Sequence, residues 1–136
     1  SDEGLVVIPQ SGTYIIFVDL GSKTISIQKP VIYGYGTAAG GNNEKILPFT
    51  ESSDGKTFSV TLPNGGRFRI HPYIPAFDNL NPSFGAWKRE YAVNSETLEI
   101  YLRKEGMDEP NKDYVWAANT IITLDFRAAK GTIVVP

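Results

Sequence analysis

Apolar residues recur along this chain with a period of two, broken every few residues by glycine, proline or asparagine, and this pattern predicts short β-strands. LVVIP and GTYIIFVDL are rich in β-branched and aromatic residues. The second is apolar on both faces, as expected of a strand buried between layers. After Gly21 and Ser22 the chain returns as KTISIQKP, with Ile25 and Ile27 on one side, completing a hairpin. Pro30 interrupts it, VIYGYG resumes an extended run, and the glycine-rich TAAGGNNEK leads into ILPF. Turn residues then sit between alternating segments: Asp54-Gly55 before TFSVTL, and Asn64-Gly65 before RFRI. Phe58, Val60 and Leu62 share one face, as do Phe68 and Ile70, which leaves Arg67, Arg69, His71 and Tyr73 on the opposite side.

The stretch from Arg67 to Tyr91 holds the only histidine and one of the two tryptophans. Pro72, Pro75 and Pro82 prevent its middle from running as a regular strand or helix, so it reads as a long loop carried on two strands. Beyond the loop, WKREYAV places Trp87, Arg89, Tyr91 and Val93 on one side and Lys88 and Glu90 on the other. LEIYLR follows as an alternating strand, EGMDEPNKD as a polar loop, YVWAANTIITLDF as one bent or two successive strands, and TIVV as the closing strand. No helical period of useful length occurs. Roughly ten short strands predict an all-β fold, an antiparallel β-sandwich of immunoglobulin-like architecture.

The chain contains one internal similarity. Thr13 to Ile27 contains VDL followed by TISI, and Thr120 to Val135 contains LDF followed by TIVV, with Asp19 and Asp125 at corresponding strand ends. Aligned on these motifs, the second connection is two residues longer. Residues 1–30 then form an N-terminal hairpin, either the tail of a preceding module or part of the same sandwich, and residues 31–136 form a β-sandwich module.

Composition narrows the function classes. A chain of 136 residues builds one core without disulfides or metal, and it has no cysteine. Thirteen basic against 15 acidic residues give a net charge of -2, too balanced for nonspecific nucleic-acid binding. No apolar run approaches the ~20 residues that span a bilayer. GYGTAAGG, Gly34 to Gly41, lacks the Gly-Lys-Ser/Thr ending of a phosphate loop and reads better as a flexible surface loop. His71 lacks a nucleophile motif and reads as an ordinary, partly exposed strand residue. Asp108, Glu109, Asn111 and Asp113, in the loop 105–113, are oxygen ligands without the EF-hand spacing, so a solvated loop is preferred to a calcium site. Scattered acids such as Asp78, Glu90, Glu96 and Glu99 define no glycosidase pair. No cofactor and no catalytic residue is assigned.

The aromatic residues carry the sharper expectation. Tyr73, Phe77, Phe84, Trp87 and Tyr91 flank or lie in the long loop near Arg69, Lys88 and Arg89. Flat aromatic faces pack on the C–H face of a pyranose, while guanidinium and ammonium groups bond its hydroxyls. The competing reading places these aromatics in the core of the sandwich; it applies evenly to Trp87 and more strongly to Trp116, which lies in an apolar strand.

Several segments together resemble the SusE/SusF-type surface glycan-binding lipoproteins of Bacteroidetes. SGTYIIFVDLGSKTISIQKP resembles the hairpin that ends one module of that family, and VIYGYGTAAGGNNEKILPF the opening of the next. GKTFSVTLPNGGRFRI resembles the strand pair that follows, and NTIITLDFRAAKGTIVV the closing hairpin. Gly41 stands where family members commonly carry a tryptophan, with Tyr33 and Tyr35 nearby. The resemblance implies a noncatalytic domain binding an oligo- or polysaccharide, lipid-anchored at the cell surface or outer membrane, beside other components of a glycan-uptake complex. The expected site stacks sugar on Trp87 and Tyr73, with Arg69, Lys88 and Arg89 bonding hydroxyls and Tyr35 as a second wall. The rival expectation is a structural spacer or protein-interaction module without sugar binding.

Overall fold

The computed structural model describes residues 7–41, 46–75, 89–93, 97–102 and 106–136, the side chains of 100–102 excepted. Among the described residues eleven strands and one 3-10 turn, Thr37–Ala39, account for the regular structure. In chain order they are β1 (Ile15–Asp19), β2 (Thr24–Gln28), β3 (Ile32–Tyr35), β4 (Ile46–Pro48), β5 (Thr50–Glu51), β6 (Thr57–Thr61), β7 (Arg69–Pro72), β8 (Arg89–Val93), β9 (Leu98–Leu102), β10 (Ile121–Asp125) and β11 (Lys130–Val134). A four-stranded sheet, β11-β10-β6-β5, faces a five-stranded sheet, β4-β3-β7-β8-β9, and all pairs are antiparallel. The molecule is an all-β antiparallel sandwich. The β1-β2 hairpin forms a sheet of its own.

Alternation decides which side chains meet between the sheets. Phe58, Val60 and Leu62 from β6 and its extension, Ile122 and Leu124 from β10, and Phe68 and Ile70 along β7 are all buried in one core cluster. Trp116 joins that cluster, as its apolar surroundings predict. Each such side chain contributes roughly 1.5–3 kcal/mol relative to exposure, so the two inner faces hold the sandwich together.

Four details depart from the pattern-based reading. Asp54-Gly55 does turn β5 into β6, with Gly55 at φ 67, but Asn64-Gly65 makes no hairpin, because β6 and β7 lie in different sheets. Gly66, at φ 138, exchanges backbone hydrogen bonds with Trp116 (2.9 and 2.8 Å), and Asn64 N–H bonds the Ala38 carbonyl (3.2 Å), so the chain crosses between layers. The glycine-rich segment is no flexible surface loop: Ala38 and Ala39 are fully buried in the core. The Ala38 N–H donates to the Arg67 carbonyl (3.0 Å), and the Arg67 N–H to Thr37 Oγ1 (2.9 Å). Third, β1 is not buried between layers, since one of its two apolar faces is open to solvent. Fourth, the two hairpin connections are equal: Asp19 pairs with Thr24 and Asp125 with Lys130, leaving four residues between in each case. The motif alignment was displaced by two residues, which preserves side-chain facing and so leaves the alternation unchanged.

The β1-β2 hairpin is fastened across one end of the sandwich. Phe17 packs under the Arg89 guanidinium, 5.5 Å from the ring centroid, and Gln28 Nε2 donates to the Tyr73 carbonyl (2.6 Å). Thr13 Oγ1 donates to the Gly55 carbonyl (3.2 Å). A pocket of about 170 Å³ remains at the junction, lined by Thr13, Tyr14, Ile15, Ile16, Pro30, Tyr91 and Phe126.

Candidate functional site

The outer face of the five-stranded sheet is where the aromatic and basic residues gather. With Ile32, Ile70 and Tyr91 turned to the core, alternation puts Tyr33 and Tyr35 of β3, Arg69 and His71 of β7 and Glu90 of β8 outward. Tyr73 continues that row. Register brings Tyr33 opposite His71 and Tyr35 opposite Arg69.

This outer face is closed rather than open. His71 and Glu90 have no exposed surface, and Tyr35 retains 2% and Tyr33 5% of theirs. Tyr35 stacks on the His71 ring at 4.9 Å with planes 14° apart, Tyr33 lies 5.8 Å from the same ring, and Tyr73 meets Tyr33 edge-on at 6.5 Å. The partly exposed histidine expected from sequence is thus a buried one. Its Nδ1 lies 2.9 Å from the Arg89 carbonyl, and a carbonyl only accepts, so Nδ1 carries the proton there. Nε2 then faces Glu90 Oε1 at 3.7 Å.

Charge is balanced locally. Arg69 pairs with Glu90 and reaches Glu109 (Nε to Oε2, 3.4 Å), and Arg67 also pairs with Glu109. The Arg69 guanidinium lies 5.4 Å from the Tyr35 ring centroid. Two carboxylates and two guanidiniums therefore neutralise one another across β7, β8 and the 106–113 loop. Glu109, weighed as a calcium ligand, is used by the arginines instead, while Asp108 pairs with Lys112 (3.1 Å) and Asn111 Nδ2 donates to the Val93 carbonyl (3.0 Å). No group of three His, Asp or Glu side chains able to hold a metal occurs among the described residues.

Of the six residues expected to bind sugar, Tyr35, Arg69 and Tyr73 share this outer face. Arg89 does not join them, because its position alternates with Glu90 and it packs on Phe17 at the core side of the sheet. Trp87 and Lys88 lie outside the described residues. Glu90 and Glu109 complete the cluster and were not singled out as site residues from sequence. Glu90 was already on the face opposite Tyr91 and Val93, but its meeting with Arg69 depends on the β7-β8 register, which no local pattern reveals.

On the core side of β8, Tyr91 packs edge-on against Phe126 at 5.2 Å, and burial pushes its phenol up to about 12. Comparison with protein-family models, curated proteins and solved structures returns no match to this chain.

Proposed function

We propose that this chain is a noncatalytic carbohydrate-binding β-sandwich of the SusE/SusF type, serving a glycan-uptake system at a bacterial cell surface. The observation that supports it is the collection of Tyr33, Tyr35, Tyr73, Arg69 and His71 on one outer sheet face, where a sandwich otherwise presents ordinary solvated side chains. In this reading the buried rings and ion pairs form a rigid floor, while Tyr73, half-buried at the end of β7, and Trp87 and Lys88 beyond it supply contact with sugar. Arginine engagement of both Glu90 and Glu109 favours a binding role over acid–base chemistry.

Isothermal calorimetry against soluble α- and β-glucans, mannans and host glycans tests this. Binding to one class is expected, with at least a tenfold loss in Trp87→Ala and in Tyr73→Ala. Silence across the panel, or unchanged affinity in both variants, rejects the site.

A second reading, a structural or protein-interaction module, is favoured by the burial of Tyr35 and His71 and the engagement of Arg69 by two carboxylates. It predicts that acrylamide leaves the fluorescence of both tryptophans largely unquenched and that no glycan changes this.

A further inference from the structure

The seam where the N-terminal segment meets the end of the sandwich is hollow along its length. The pocket of about 170 Å³ beside Tyr91 shares Thr13, Tyr14 and Phe126 with a cavity of about 550 Å³. That cavity in turn shares Ser11, Gly12, Asp54 and Gly55 with one of about 330 Å³. One cleft thus runs between residues 11–14 on one side and the β5-β6 and β10-β11 turns on the other. The Thr13 Oγ1 bond to the Gly55 carbonyl (3.2 Å) joins the two walls. The middle section alone has the size of a small-molecule site, roughly 300–1,000 Å³.

The walls combine fixed rings with cations. Phe126 is held by edge-on contacts with Phe58 at 5.7 Å and Tyr91 at 5.2 Å. The Tyr14 hydroxyl donates to the Gln10 carbonyl (2.8 Å), and the Lys29 ammonium lies 4.5 Å from the Tyr14 ring centroid. Both rings are half-buried and line the cleft, so their apolar surface is in place before any ligand arrives. Lys56 and Arg127 are exposed at the wide middle section. Arg127 makes no ion pair among the described residues, and Lys56 reaches only Asp54, at 3.8 Å with both side chains more than half exposed. Asp54 is itself engaged within its own turn: Oδ1 accepts from Ser52 Oγ (2.7 Å) and from the Lys56 N–H (3.1 Å), and these bonds hold its carboxyl below the ordinary range. Glu51 stands at the narrower end with Lys29, so the surplus of positive charge lies at Lys56 and Arg127.

We infer that this cleft binds an acidic oligosaccharide, with one uronate carboxylate at Lys56 and Arg127 and the pyranose rings along Tyr14 and Phe126. A guanidinium fork matches a carboxylate with two parallel hydrogen bonds, and flat rings pack on the C–H faces of sugars. The exposed hydroxyls of Ser11 and Ser53 both donate and accept, as sugar hydroxyls require. A fatty acid is a poorer occupant, because the mostly apolar section beside Tyr91 is the smallest of the three. An acidic peptide is poorer too, since extended peptides add to a sheet edge and these walls are turns and an irregular segment. The cleft has no residue in common with the outer face that carries Tyr35, Arg69 and Tyr73, so the inference stands apart from the sugar site proposed there. A ligand touching both walls also fastens the N-terminal segment to the sandwich.

Calorimetry on the 136-residue chain tests this with tetragalacturonate and tetramannuronate, set against cellotetraose and galactotetraose as neutral counterparts and tetraglutamate as an acidic peptide. One uronate tetramer should bind at least tenfold more tightly than either neutral tetramer and weaken as salt is raised. The double variant Lys56→Gln with Arg127→Gln changes two exposed side chains and should lose at least tenfold in that affinity. Amide resonance shifts on binding should fall at residues 11–14, 51–56 and 126–127. Tyr73→Ala and Trp87→Ala should leave uronate binding unchanged, which separates failure of this site from failure of the outer-face site. Silence toward both uronates, equal affinity for the neutral tetramers, an unaffected double variant, or shifts confined to β3 and β7 overturns the inference. Tetraglutamate binding as tightly as the uronates also overturns it, in favour of a peptide ligand.

Discussion

Gly34 sits in β3 directly beneath Phe68, and a Cβ there would overlap that ring. Phe68 belongs to the core cluster and tilts against Phe49 at 6.3 Å, so it has no free direction in which to yield. Gly34→Ala should therefore lower stability by about 1–3 kcal/mol, the cost of overpacking, read as a lower urea midpoint with an unchanged slope. Tyr91 gives a prediction of a different kind. Its phenol is pushed up to about 12 from 10.0 by burial, so the folded state holds its proton where the unfolded chain releases it. That contribution is fully present below pH 10 and declines as pH rises toward 12, by roughly 3 kcal/mol in all. Tyr91→Phe should remove this part of the alkaline loss, which denaturant titrations at pH 8, 10 and 11.5 on both proteins would reveal as a flatter dependence in the variant.

At the scale of elements, the two hairpins offer a controlled comparison of one turn in two settings. Asp19 and Asp125 make equivalent backbone hydrogen bonds, and the Ser22 side chain, followed by the Ser22 and Gly21 backbone, holds the Asp19 carboxyl below its ordinary range. Because β10 lies inside the sandwich and β1 outside it, Asp125→Ala should lower the global unfolding midpoint, whereas Asp19→Ala should accelerate amide exchange in β1-β2 and leave that midpoint nearly unmoved. Element type was legible from alternation because inner-face residues such as Phe58, Val60, Ile122 and Leu124 are set by period alone. Pairing was less so. Asn64-Gly65 carries a hairpin dipeptide, yet its chain crosses layers because Gly66 and Trp116 bond each other across a long sequence gap. The apolar faces of β1 read as burial between layers, since composition records that a face is apolar and not what covers it.

For the whole molecule, the unusual feature is a five-stranded sheet whose outer face holds side chains with almost no exposed surface, the rings of Tyr33, Tyr35 and His71 together with Glu90, which pairs with Arg69. The sequence placed Arg69, His71 and Tyr73 together through alternation within one strand. It did not place Glu90 or Glu109 with them, because contacts between strands and loops depend on register and on the path of intervening segments. It also grouped Arg89 with Arg69 by proximity, although the two arginines occupy opposite faces. Glu90 is the central member: it is fully buried, pairs with Arg69, and faces His71. Glu90→Ala leaves a guanidinium that is only 19% exposed facing one carboxylate fewer, and truncating one member of such a pair typically costs about 3–5 kcal/mol. Equilibrium unfolding of Glu90→Ala should show that loss, while the double variant Arg69→Met with Glu90→Leu should recover most of it by replacing the pair with aliphatic volume. If Glu90→Ala is neutral, the network is no foundation for the outer face. If the double variant regains stability and also binds any glycan that the native protein binds, the charges support the floor and the sugar contacts lie with Tyr73 and the loop beyond it.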